Sequence, residues 1–271
     1  MPRFQGKTSR IMRLVICLGL IGGIGCFAER GLTPDQQIAM QQAAAERNRQ
    51  AIEALQRSAD AGDVLAVTRL GIDYVGGYLG LSRDVPKGLL LLDQAQARQY
   101  APAEYTLGWL YLDGRTLNGG MPVQSGLIPK QPARGMELLK QSAAHACTPA
   151  PIAPYIQTAN LINSLYRQGR LIEVDFKQAD LWLARSILHC HVPNAQFVAG
   201  MYLNPNAITP QSQIDAMTLL LLMPPSDIAN KLRSFLSPED MQTATRKMEA
   251  LRQAVSDSEQ QYPAPPHPGK P

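Results

Sequence analysis

The chain is short of the patterns that catalysis uses. Across its 271 residues there is no Gly-x-Ser-x-Gly, no Ser-x-x-Lys and no His-Glu-x-x-His, which excludes the common nucleophilic and zinc-hydrolase arrangements. Gly6-Lys7-Thr8 imitates the end of a phosphate-binding loop, but the earlier glycine is missing and no strand precedes it. Paired acids such as Glu239-Asp240 stand at an expected helix start, where they suit the dipole. No nucleophile, base and orienter assemble and no cofactor motif is spelled, so no enzyme and no cofactor are expected.

An excess of one charge sign is missing as well. The 26 Lys and Arg outnumber the 22 Asp and Glu only because Arg3, Lys7, Arg10 and Arg13 lie in the first 28 residues, which hold no acid. The remainder is formally neutral, so the basic face that phosphate binding requires is absent and no nucleic-acid partner is expected. A long apolar run is lacking too: Leu14 to about Ala28 falls short of the ~20 residues of a membrane-spanning helix. With its basic start, residues 1–28 read as a signal peptide, which puts the protein in the bacterial periplasm or outside the cell. Two exits are open. One is cleavage after Ala28. The other is acylation of Cys26, since Gly23-Ile24-Gly25-Cys26 resembles a lipobox with Gly where Leu is usual. In the second case the protein is a membrane-anchored lipoprotein with a structural role, and only then is the membrane a partner.

Cysteine is scarce, at four residues. Cys17 lies in the apolar run and Cys26 at the exit, which leaves Cys147 and Cys190 for the folded part. An even pair in an oxidising compartment points to a disulfide, with two unpaired small core residues as the alternative. His145, Cys147, His189, Cys190 and His191 are all possible metal ligands. Adjacent helical residues point about a third of a turn apart, however, so the last three do not converge and no metal site is expected.

Strict apolar–polar alternation is the last thing lacking, so the expected class is all-α. What the chain does have is self-similarity. Leu70-Gly71-Ile72-Asp73-Tyr74 with Gly77, Leu107-Gly108-Trp109-Leu110-Tyr111 with Gly114, Ile162-Asn163-Ser164-Leu165-Tyr166 with Gly169, and a degraded Ala199-Gly200-Met201-Tyr202 share one spelling. Each reads as a helix end whose small residue admits a neighbouring helix and whose last glycine is a C-cap. Partner helices carry a small, a bulky and a small residue at i, i+3 and i+7: Ala51, Ala54, Ser58; Gly88, Leu91, Ala95; Gly135, Leu138, Ser142; Ala179, Trp182, Ser186. Gly71 to Gly108 and Asn163 to Gly200 are both 37 residues, whereas Gly108 to Asn163 is 55. The Gly- and Pro-rich stretch 115–130 accounts for the difference as an inserted loop.

These units resemble the Sel-one-like repeat family, a relative of the tetratricopeptide repeats, over about residues 50–203. Tyr105 to Gly114 is the best match for the first helix and Asp175 to Trp182 for the second. The resemblance implies a right-handed α-solenoid of three to four helix-turn-helix repeats within residues 29–203. A helical C-terminal cap follows over 204–262, and a disordered Pro-rich tail over 263–271. It also implies an adaptor or scaffold that holds a protein or peptide in its concave groove. A disulfide-linked repeat hydrolase is the contrasting class. Trp109, at the variable position of its motif, is a candidate anchor in the groove or else packs on the inserted loop. Arg69, Asp73, Asp113 and Arg167 are candidate polar contacts.

Overall fold

The computed structural model describes residues 33–114, 128–152, 155–203 and 208–266. Eleven helices are found among them: α1 (Pro34–Asp60), α2 (Val64–Gly76), α3 (Val85–Gln96), α4 (Ala101–Asp113), α5 (Pro132–His145), α6 (Thr158–Gln168), α7 (Phe176–Cys190), α8 (Ala195–Tyr202), α9 (Pro210–Leu220), α10 (Asp227–Arg233) and α11 (Pro238–Ser258). No strand occurs among the described residues, and the class is all-α. The chain divides into Met1–Gln42, of which the start of α1 is described, and Ala43–Pro271. In the first, Thr33 and Gln36 exchange side-chain and backbone bonds at the head of α1, a reciprocal cap of the kind a Thr-x-x-Gln spelling encodes.

In the second unit, α2–α3, α4–α5 and α6–α7 pair as antiparallel hairpins stacked in chain order, an α-solenoid. Local chemistry fixes their ends. Asp63, Asp84 and Asp175 accept backbone N–H bonds at the starts of α2, α3 and α7. Gly77, Gly114 and Gly169 close α2, α4 and α6 at φ of 69, 71 and 64°, a left-handed conformation that glycine adopts without penalty.

The helices of the first two hairpins cross at paired glycines. A Cβ on Gly88 would lie 2.6 Å from the Gly71 carbonyl oxygen, and one on Gly135 would lie 2.8 Å from that of Gly108. Leu92 and Leu139 fill the space beside these crossings and are fully buried. In the first of them Leu92, one place after the expected Leu91, is the inward bulky residue.

Three apolar clusters run along the stack. The first joins α2 to α5 through Ile72, Leu107 and Leu138; the second joins α4 to α7 through Tyr105, Leu139, Ile162 and Trp182. The third gathers Leu183, Val198, Met217 and Ala244 from α7, α8, α9 and α11. Because α4 and α7 each serve two clusters, each hairpin completes its core with its neighbours.

Two expectations need correction. Ala51, Ala54 and Ser58 of α1 are exposed, and no residue of α1 is buried. Arg49 instead ties Glu46 and Glu53 along its surface, so α1 is held as a solvated helix by pairs three and four apart. The tail expected to be loose from Pro263 is anchored where it is described: the Tyr262 and Pro263 carbonyls accept from Arg185, and Pro265 is buried. A buried guanidinium has to find acceptors, and this segment supplies them. Of the inserted loop, residues 115–127 lie outside the described residues; Ile128 is buried in the first cluster, and the Gln131 N–H donates to the Tyr111 carbonyl. The signal segment and Cys26 also lie outside the described residues. Among those described, no helix is long and apolar enough to cross a membrane.

Candidate functional site

Arg69 and Asp73 lie one turn apart on α2 and therefore share a face. That face is one wall of a cleft of about 380 Å3, completed by Leu55 of α1, Ile72, the turn residues Tyr78 and Leu79, and Pro151 and Ile152 of the α5–α6 connection. Its shape depends on two local features. Leu79 holds a left-handed φ of 56°, a conformation costing a bulky residue on the order of 1 kcal/mol and most often retained where geometry matters. Ile152 packs on the cluster of α2 and α4 and brings the connection across to α2.

The electrostatics of the cleft are uneven. Arg69 is exposed while Asp73 is half-buried. Burial pushes the Asp73 carboxyl up to about 6, and Arg69 offsets this only in part. A basic residue four places before an acid is the weaker helical order for a pair. Among the described residues neither side chain has a hydrogen-bond or ion-pair partner.

The other expected contact residues lie elsewhere. Trp109 is half-buried, edge-on to Tyr105 with ring centroids 6.5 Å apart, and packs on the second cluster. It occupies the place in α4 that Ile72 holds in α2. Asp113, at the end of α4, meets Lys130 at 3.5 Å. Arg167 of α6 pairs with Asp180 of α7 and Tyr202 of α8, and the Tyr202 hydroxyl donates to Asp180 at 2.6 Å. This network joins three helices and holds Arg167 away from the cleft.

Cys147 and Cys190 are joined in a disulfide, with Cα atoms 5.6 Å apart, tying the ends of α5 and α7. The histidines beside them have carboxylate partners. His145 Nδ1 lies 2.8 Å from Glu104 of α4, and His189 Nε2 lies 3.0 Å from Glu259. Glu104 is 1% exposed, and burial raises its carboxyl while His145 pulls the other way.

Sequence reasoning missed Arg185, which is 2% exposed at the centre of α7. Its guanidinium donates to Ser258 and to the Tyr262 and Pro263 carbonyls and stacks 5.1 Å from Trp182. Tyr262 packs edge-on to Trp182 and donates to Glu137 of α5 at 2.6 Å. The signal was present: Arg185 falls three after Trp182, on the helix face expected to be buried.

No protein-family model and no curated protein matches the chain. Among solved structures it is similar to a Sel1 repeat protein from Oxalobacter formigenes, at 14% identity and a TM-score of 0.44, over 84% of this chain and 91% of that one. It is also similar to c5321, a protective antigen present in uropathogenic Escherichia coli strains that displays an SLR fold. There the identity is 15% and the TM-score 0.31, over 78% of this chain and 51% of the other. The chain is similar to Sel1 repeat structures. Its own repeat architecture stands on the crossings of Gly71 with Gly88 and Gly108 with Gly135.

Proposed function

We propose that the protein is an exported, non-catalytic adaptor that holds a segment of a partner protein in the cleft along α2. The observation that carries this reading is the cleft at Arg69 and Asp73, where a half-buried carboxylate only partly offset by Arg69 stands beside Leu55, Ile72, Leu79 and Ile152. A folded chain that keeps a half-buried carboxylate incompletely compensated loses stability there, and binding recovers it. Export is supported by the leader-like residues 1–28 and by the disulfide, which persists in oxidising compartments.

Affinity capture from bacterial envelope extract tests it, with wild type, Asp73→Arg and Trp109→Ala in parallel. A partner recovered by the wild type and depleted by Asp73→Arg, whose long side chain fills the cleft and reverses its charge, is expected. Identical captured sets for all three proteins would remove the groove reading. Loss with Trp109→Ala at unchanged melting temperature would extend the contact surface to α4.

A further inference from the structure

We propose that the cleft is a specificity pocket for one Lys or Arg side chain of the partner, presented beside an apolar residue in an extended segment. The inference rests on the groove reading above and adds the chemistry of what is recognised.

The walls and floor call for different halves of one side chain. Leu55, Ile72, Leu79 and Ile152 offer apolar contact, and Asp73 offers a single anionic group among them. Lys and Arg combine a hydrocarbon stem with a charged head, so the stem covers apolar surface while the head reaches the carboxylate. An acidic side chain would meet Asp73 with like charge in a partly desolvated place, and a purely apolar one would bury the carboxylate further without a partner. The remaining volume accepts the neighbouring apolar residue. Arg69, exposed and one turn before Asp73, is left to donate to main-chain carbonyls of the segment.

Occupancy is linked to protons. Binding needs the ionised carboxylate, and Asp73 ionises at about 6 in the free protein. Among the residues that line the cleft, the charged group beside Asp73 is Arg69 of its own helix, and the one other ionisable side chain is the Tyr78 phenol. At pH 5 about a tenth of the carboxyl is ionised, so affinity is expected to be about tenfold lower than at pH 7.5.

The experiment is selection of a phage-displayed library of random dodecapeptides on the full-length oxidised protein, followed by titration of the enriched peptides at both pH values. Expected are peptides with Lys or Arg next to Leu, Ile or Phe, bound about tenfold more weakly at pH 5. Asp73→Asn should weaken them at least tenfold at pH 7.5 and abolish the pH dependence. Enriched peptides without a basic residue, or unaffected by Asp73→Asn, would overturn the pocket and leave the groove reading standing. Failure to enrich any peptide would remove both.

Discussion

The side-chain amide of Asn163 donates to the carbonyl of Ala179 at 2.7 Å, where the other two hairpins of the stack cross glycine on glycine. Asn163 and Ala179 occupy the positions of Gly71 and Gly88 and of Gly108 and Gly135. The third hairpin thus replaces close approach with a hydrogen bond in the same place. Asn163→Ala should cost about 1–2 kcal/mol through the lost buried bond. Gly88→Ala and Gly135→Ala force a methyl group against a backbone carbonyl and should cost more, about 2–3 kcal/mol. Gly200→Ala, with nothing within 4 Å of its new Cβ, should instead stabilise by about 0.5–1 kcal/mol. Denaturant melts of the four variants check the order, and a destabilised Gly200→Ala would contradict the open environment assigned to it.

The bridge between Cys147 and Cys190 closes a sequence separation of 43 residues. Constraint of the unfolded chain over that length is worth about 4 kcal/mol on the entropy model. Reduction, or the double change Cys147→Ser and Cys190→Ser, should lower Tm by about 8–16 °C. Non-reducing peptide mapping should recover the two cysteines as one linked species.

Removing residues 259–271 should cost about 3–5 kcal/mol, because it leaves the guanidinium of Arg185 buried without the Tyr262 and Pro263 carbonyls. Arg185→Met in the full chain should cost less, about 1–3 kcal/mol, since the stem's packing is kept and no charge is stranded. Combining the two should be less damaging than their sum. Additive losses in that cycle would mean that the strap acts on α7 through packing alone.

Glu104 carries a pH signature. Its folded carboxyl is raised above the ordinary 4.5 by burial, so the native state holds the proton more tightly than the unfolded chain. For a raised carboxyl the linkage makes stability fall as pH climbs from about 4.5 through the folded value. Glu104→Gln removes that term and keeps an acceptor for His145. The stability of Glu104→Gln relative to wild type should therefore increase between pH 4 and 7. A pH-independent difference in urea midpoints would rule out an ionisable Glu104 as its source.

Legibility followed the range of the interactions involved. The caps at Gly77, Gly114 and Gly169 and the start at Thr33 depend on a few adjacent residues, so their spelling is sufficient. The hairpins themselves follow from a repeat period that the chain writes several times. Ala51, Ala54 and Ser58 copy the same small–bulky–small spacing yet are exposed, because that spacing does not encode whether a partner helix is present. Arg167 reads as a surface charge until Asp180 and Tyr202, 13 and 35 residues away, are brought to it. The cleft is the least legible part. Leu55, Leu79 and Ile152 belong to a helix, a turn and a connection that share no motif, and only the fold brings them to Arg69 and Asp73.

The contact of Tyr262 with Glu137 spans 125 residues, farther along the chain than the contacts between adjacent hairpins that build most of the stack. The order in which the chain emerges then matters: Glu137 of α5 and Arg185 of α7 gain their partner Tyr262 only once the residues beyond α11 are out.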